Sequence, residues 1–427
     1  MSQHDYDIAN NPGLAFRADL NQALSAIVTL NSGATAPQVT FPGMLWLDTS
    51  ATPAVIWQRN QNDNEWIAPS IAGGELGGAG LPAGVLVKTD ATTPCLIKTG
   101  SGTVSIKADS VIYVDGGSIA YPVQTAVAMP SLTPGEDYSV WAHPDGTASA
   151  VADPWSSPAV APVAGAIKIG GFHYGLVAPG TTPASGGFST GGVTSGGGSF
   201  GWTQTDVDRI AGINELSIWD RTFRCKGEQR GMAFDPLTLS WHGIYFMSDS
   251  PHINGPSRYN TNVASGTVLP FIPPEWGGNG VLKYSRLSAF EAHELVSAYN
   301  LRLPTFDEFM SYAFGVTESR SLGGASSTIP ATLRQPGYTS RIGIEQATGH
   351  HWAIGAPIHS SNGSAYAAVG RGSWYGATGL ALFGGDRTHA ASSGSRCAHF
   401  GSALSFSDWH IGVRAAGDHL NLVGAAR

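Results

Sequence analysis

Apolar residues recur at helical spacing in only a few stretches of this chain and alternate with polar ones through much of the rest. Ala15–Leu30 carries Phe16, Leu20, Leu24, Ile27 and Val28 at intervals of three and four, which predicts a helix. Two further helices are marked by their starts. Ser288 is followed three residues on by Glu291 and then by Leu295, Val296 and Tyr299. Thr305 is followed by Glu308, with Phe309, Tyr312 and Ala313 behind it and Gly315 as a stop. Both are capping boxes, in which a hydroxyl and a carboxylate reciprocally satisfy free backbone N–H groups.

Elsewhere the period is two. Met44–Asp48 and Ala54–Gln58, joined by TSATP, predict a hairpin that Asn60–Ile67 closes. Between residues 81 and 175, short alternating runs (Thr103–Ala108, Val111–Asp115, Ser118–Val123, Tyr138–Ala142, Thr147–Val151) predict a small β-sandwich. His143-Pro-Asp-Gly146 has the composition of a tight turn between two of those strands. Gly-rich stretches at 73–84 and 184–201 punctuate the chain. The expected organisation is a segment over 1–80, a small β domain over 81–180, a Gly/Ser-rich linker over 181–201, and an α+β domain over 202–427.

Composition narrows the class. Charged residues are 13% of the 427, against a usual ~25%. Yet 42% of residues are hydrophobic and 12 are tryptophan, so the chain is folded rather than disordered. With a net charge of −8 and no Lys/Arg block, nucleic acid is not an expected partner. The N-terminal MSQHDYDIANNPG is not a signal peptide, and no apolar run is long enough to span a bilayer, so synthesis in the cytoplasm without membrane insertion is expected. Cys95, Cys225 and Cys397 are too few and too scattered for a disulfide framework or a four-cysteine zinc site, and no cofactor is expected.

The richest stretch is Gly385–His419. Apparent framework residues (Gly394, Ser395, Arg396, Ser405, Gly412, Val413, Arg414, Asp418, His419) are interspersed with acid, imidazole, hydroxyl, aromatic and glycine. Mixed chemistry at such spacing suits a recognition surface held on a rigid support. Read as a strand, Phe406–Ile411 would put Phe406, Asp408 and His410 on one face, and Ser407, Trp409 and Ile411 on the other, with Trp409 in the core. His350-His351-Trp352 lacks a third metal ligand at motif spacing, and Asp418-His419 lacks a GxSxG serine elbow, so both are read as structural.

Several segments carry a family resemblance. FPGMLWLDTSATPAVIWQRNQNDNEWI resembles a segment near the N-termini of phage tail-fibre proteins. SIKADSVIYVDG, AVAMPSLTPGEDYSVW and Ile169–Tyr174, with Asn214–Phe223, Arg230-Gly-Met232, Arg302-Leu-Pro304, Ala313–Glu318, Gly370–Tyr375, Leu380–Gly385, Ser393–Arg396 and Gly412–Leu420, resemble the variable tail-fibre proteins of diversity-generating retroelements. The resemblance implies a C-type-lectin-like (formylglycine-generating-enzyme-like) C-terminal domain. It implies a homotrimer at the tip of a virion tail fibre, joined to other phage tail proteins, that binds a host bacterial surface receptor, protein or glycan. It also implies a surface diversified over about 386–411 by adenine-directed mutagenesis of Asn-type codons. The matching positions are Asp386, Thr388, His389, Ala390, Ser392, His399, Phe400, Gly401, Phe406, Asp408, His410 and Ile411.

Two enzymatic rivals are weighed. RLPTFDEF, GRGSW and Arg414 are also similar to the formylglycine-generating fold, but of the reactive cysteine pair that activity needs near the C-terminal segment only Cys397 is there. The alternative reading is a tailspike enzyme that cleaves host surface polysaccharide with two carboxylates; the long β-helix repeats that would favour it are missing from the sequence.

Overall fold

The computed structural model describes residues 12–28, 30–50, 55–67, 70–71, 74–75, 84–114, 117–189, 192–193, 199–323, 331–359, 366–367, 373–374 and 379–420. These fall in two compact units, Met1–Val85 with Val111–Ile119, and Leu86–Ser110 with Ala120–Arg427. Most of the expected 73–84 stretch, part of the 184–201 stretch, the TSATP connector from Ala51 and most of Gly370–Tyr375 lie outside the described residues.

In the first unit the expected helix forms as α1 (Gly13–Val28). It buries Ala23 and Ala26, whereas Leu14, Leu24 and Ile27 stay exposed. The expected hairpin pairs β1 (Leu45–Asp48) antiparallel with β2 (Val55–Arg59), Leu45 opposite Gln58, and β3 (Trp66–Ile67) adds to its edge. Trp46 is buried, and its indole N–H donates to the Gly33 carbonyl at 3.1 Å.

The second unit begins with β4 (Leu96–Gly100), β5 (Thr103–Ile106) and β6 (Thr125–Ala126), in the order β6-β5-β4. Next come β7 (Glu136–Ala142), β8 (Ala148–Ala152) and β9 (Ile167–Tyr174). The His143–Gly146 turn closes as its sequence predicts: the Gly146 N–H donates to the His143 carbonyl at 2.9 Å, and Asp145 Oδ1 accepts from the Thr147 N–H at 2.9 Å. β9 then pairs with β10 (Trp219–Asp220), so one sheet, β8-β7-β9-β10, draws strands from both sides of residues 181–201. Gly170 permits this approach, because a Cβ there would sit 2.2 Å from the Trp219 carbonyl oxygen.

The remaining elements are β11 (Met232–Asp235), β12 (Ser240–Gly243), α2 (Ala289–Ser297), α3 (Phe306–Tyr312), β13 (Trp352–His359), β14 (Gly379–Phe383), β15 (Ala398–Ser402), β16 (Ile411–Gly412) and β17 (Ala416–Asp418). Both capping boxes are present, at Ser288 and Glu291 for α2 and at Thr305 and Glu308 for α3. One sheet runs β11-β12-β17 and the other β15-β14-β13-β16. Residues 411–418 therefore belong to both. Ile411 pairs parallel with Trp352, and Asp418 pairs antiparallel with Ser240. Leu295, Val296, Trp241, Leu382, Ile411 and Val413 pack in one apolar cluster, and Phe309, Tyr312, Phe246 and Phe383 in another.

Arg414 lies between the two sheet-forming stretches of 411–418 and is fully buried. Nη1 donates to the Gly243 and Ile244 carbonyls at 2.8 and 2.9 Å, and Nη2 donates to those of Glu345 and Gln346 at 2.8 and 3.3 Å. Its Cζ lies 4.2 Å from the centre of the Phe246 ring. Burial lowers its pKa to about 10, so the side chain remains a cation at neutral pH. Glu345, also buried, accepts from the Thr339 hydroxyl at 2.7 Å. Burial pushes its carboxyl up to about 7, although the Thr339 bond and the Arg334 and Arg414 cations oppose the shift.

Two outcomes are expected. Arg414→Ala removes a donor from four buried carbonyls, of which that of Ile244 keeps the Glu345 N–H, and should destabilise the second unit by about 3–5 kcal/mol, read by denaturant titration. Glu345 keeps its proton in the folded state to about pH 7, whereas an unfolded glutamate loses it near 4.3. Its contribution to stability is thus largest below the unfolded value and declines as pH rises through that window to about 7. Glu345→Gln should abolish this decline, so the melting-temperature advantage of the variant over wild type should grow between pH 5 and 8. Parallel profiles would show that Glu345 is already ionised in the folded protein.

Candidate functional site

The chain between β14 and β16 leaves the core, displays a run of side chains and returns. It departs at Gly384-Gly385, where φ values of +94° and +78° favour glycine. A Cβ on Gly385 would also meet Ser393 Oγ at 2.3 Å. Asp386 then folds the loop on itself. Its Oδ1 accepts from both the N–H and the hydroxyl of Thr388 at 2.7 Å, and its Oδ2 lies 2.9 Å from His389 Nδ1. Burial alone would raise the Asp386 carboxyl, but these bonds outweigh it and hold it below the usual range. Further on, Glu318 accepts from the Ser395 N–H at 2.9 Å and from its hydroxyl, which fixes the chain's entry into β15.

The return is tied as closely. The Leu287 N–H donates to Ser407 Oγ at 3.0 Å, the Gly266 N–H to the Asp408 carbonyl at 2.9 Å, and the Trp352 N–H to the His410 carbonyl at 2.8 Å. The bonds at Ser395 and at the return engage main chain or inward-facing polar groups, whereas Thr388, His389 and Asp408 also make local bonds within the loop.

Of the expected positions, Thr388, His389, Ala390, Ser392, His399 and Gly401 are exposed, and Phe400, Phe406, Asp408 and His410 are half-buried. His389 and His399 flank Trp352, whose ring centre lies 4.9 Å from that of His389 and 6.1 Å from that of His399. Phe406 lies 5.5 Å from His410, and His410 Nδ1 lies 3.8 Å from Asp408 Oδ2. Burial lowers the His410 pKa against the opposing pull of Asp386 and Asp408. Phe400 is the outlier, since it packs towards Phe306 and Phe383 at the rim of the core.

Two expected positions do not reach the surface. Asp386 is 1% exposed and serves as the loop's internal hydrogen-bond acceptor, and Ile411 is fully buried as the first residue of β16. The expected strand over Phe406–Ile411 is also corrected. Residues 406–408 make no ladder and 409–410 form a turn, because Asp408 Oδ1 accepts from the Trp409 N–H at 2.6 Å. Freed from alternation, Trp409 is half-exposed, not core, and stands edge-on to His410 at 5.2 Å beneath the Arg387 guanidinium. Sequence reasoning missed Trp352 and Arg387, and it placed Trp409, a candidate anchor, in the core; for Trp409 the Ser407-Asp408 pair, with its appetite for local backbone bonds, was the available signal.

The other singled-out groups are engaged within the fold, Asp418 at the surface. His350 and His351 are buried with their Nδ1 atoms 2.7 Å apart. His419 accepts from the Trp241 indole at 3.1 Å, and Asp418 pairs with Arg302 at 2.9 Å. Burial raises the Cys225 thiol to about 12 and the Cys397 thiol to about 11, so neither is a ready thiolate at neutral pH.

Residues 94–199 match the family model described as the Mtd second domain. The tail fiber receptor-binding protein of Bordetella phage BPP-1 is 33% identical over 412 residues, which span 93% of this chain and 100% of that protein. Among solved structures, the M1 variant of the Major Tropism Determinant superposes with a TM-score of 0.69 at 30% identity, covering 90% of this chain and 96% of the variant. The P3c variant gives the same TM-score and identity and covers 92% and 99%. With a receptor-binding relative and tropism-determinant structures matched over nearly its whole length, and with an α+β architecture in common, this chain belongs to the major tropism determinant family of phage tail-fibre proteins.

Proposed function

We propose that this protein is the receptor-binding component of a phage tail fibre and that it contacts a host bacterial surface receptor through the side chains gathered around Trp352. The observation that carries this reading is the division of labour within 386–410. The backbone and the inward groups of Asp386, Ser393, Ser395 and Ser407 hold the loop, while Thr388, His389, Ser392, His399, Asp408 and His410 project at or near the surface. Side chains with no structural duty can be exchanged at little cost in stability, as a diversified surface requires. Interface energy concentrates in aromatic and charged anchors, and Phe406 and Trp409 flank His410 in that role.

On this reading the α+β domain over 202–427 is C-type-lectin-like, the 81–180 region is a supporting β domain, and the 1–80 segment joins the virion. A homotrimer displayed on several fibres would raise weak single-site binding by ~10²–10⁴-fold through avidity. The matched relatives carry the names of binding and tropism proteins, which favours this function over polysaccharide cleavage.

Replacing Phe406, Asp408 and His410 together with alanine should abolish adsorption of phage to its host and leave the melting temperature within a few degrees of wild type. Adsorption at wild-type rate by the folded triple variant would move the receptor site elsewhere.

A further inference from the structure

The second unit contains two buried arginines that differ in how far they are satisfied, Arg414 lacking a partner only at Nε. Arg414 places four of its bonds on backbone carbonyls. Arg387, only 3% exposed, has Nε and Nη2 buried with no hydrogen-bond partner. Its chain neighbour Asp386 is the nearest carboxylate to consider, but both of that side chain's oxygens are already engaged, by Thr388 and by His389. A buried guanidinium without a hydrogen-bonded anion is costly, and a planar fork with free donors is matched by a carboxylate.

The surroundings define what would carry that carboxylate. Arg387 immediately precedes the displayed Thr388, with its Cζ 5.4 Å from the centre of the Trp409 ring. Trp409 in turn stands against His410 and is half-exposed. The neighbouring displayed groups, Thr388, Ser392 and His389, offer hydroxyls and imidazole but no branched aliphatic side chain. A pyranose presents hydroxyls and an apolar C–H face, which such hydroxyls and the Trp409 ring complement.

Resting on the receptor-binding reading above, we propose that the displayed surface recognises an acidic sugar, with Arg387 as the counter-cation for its carboxylate and Trp409 as the adjoining ring surface. Arg387 would turn outward from over Trp409 to form two N–H···O bonds, exchanging an unpartnered buried state for a charge-paired one. Because Arg387 lies beside the displayed Thr388 and over Trp409, it would fix the charge class of ligand while Thr388, His389 and His410 tune its identity.

The test is calorimetric titration of the full chain with a glucuronate tetrasaccharide, its neutral glucose counterpart, a tetraglutamate peptide and acetate. The acidic sugar should bind roughly tenfold or more tightly than the neutral one. Arg387→Met should lose that preference and Arg387→Lys should keep part of it. The melting temperature of Arg387→Met should equal or exceed that of wild type, since an unpaired buried charge is removed. Equal binding of both sugars, an unchanged preference in Arg387→Met, or a sharply lowered melting temperature in that variant would overturn the proposal. Tetraglutamate or acetate binding as tightly as the acidic sugar would overturn the sugar assignment. Host adsorption by the Arg387→Met phage separates the two readings: adsorption that survives there but is lost in the Phe406/Asp408/His410 variant sinks this proposal and leaves receptor binding intact.

Discussion

The second unit depends on how the side chain of Arg414 is satisfied. One guanidinium gathers carbonyls from the end of β12 and from residues 345–346, and it projects from the short stretch of chain that contributes strands to two sheets. The charge remains in the interior because each bond goes to a preorganised backbone dipole and the flat faces of the cation meet aromatic rings. Hydrophobic clusters around Leu295 and Phe309 supply most of the driving force for collapse. They do not by themselves fix the register of residues 411–418, whereas a planar donor with four fixed acceptors does.

That register governs the displayed loop. Ile411 beside Trp352 anchors one end, and Phe383 in β14 anchors the other. Between them, the loop is closed by Asp386 at its start, by Glu318 beneath Ser395 at its middle and by Gly266 and Leu287 at its return. Few of these contacts rely on the identity of an outward-facing side chain. The loop's rigidity thus rests largely on main chain and on inward-facing groups.

Much of this was legible in the sequence, for local reasons. The helices at Ala289 and Phe306 were marked by hydroxyl–carboxylate pairs three residues apart, a signal that needs no tertiary context. The 143–146 turn and the 45–59 hairpin likewise follow from short-range chemistry. Most of the displayed positions also emerged, since mixed chemistry in a short window is incompatible with a core strand. The misses were of a different kind. Asp386 reads as a surface acid until its two local partners are seen, and Ile411 reads as part of the loop until the parallel pairing with Trp352 buries it. Trp409 was assigned to the interior by assuming alternation across residues where Ser407 and Asp408 divert the backbone into a turn. Arg387 could not have been identified from sequence, because what distinguishes it from Arg414 is the whereabouts of its acceptors.

The position of the closing strands after the displayed loop has a bearing on how a variable protein is kept honest. The ribosome emits residues 411–418 only after every codon of the loop has been read, and both sheets stay incomplete until they arrive. A premature stop or a shifted reading frame within 386–410 thus deprives the nascent chain of Arg414 and of β16 and β17, and it remains unfolded. A missense change within the loop leaves those closing strands in the chain, whereas a truncation removes them.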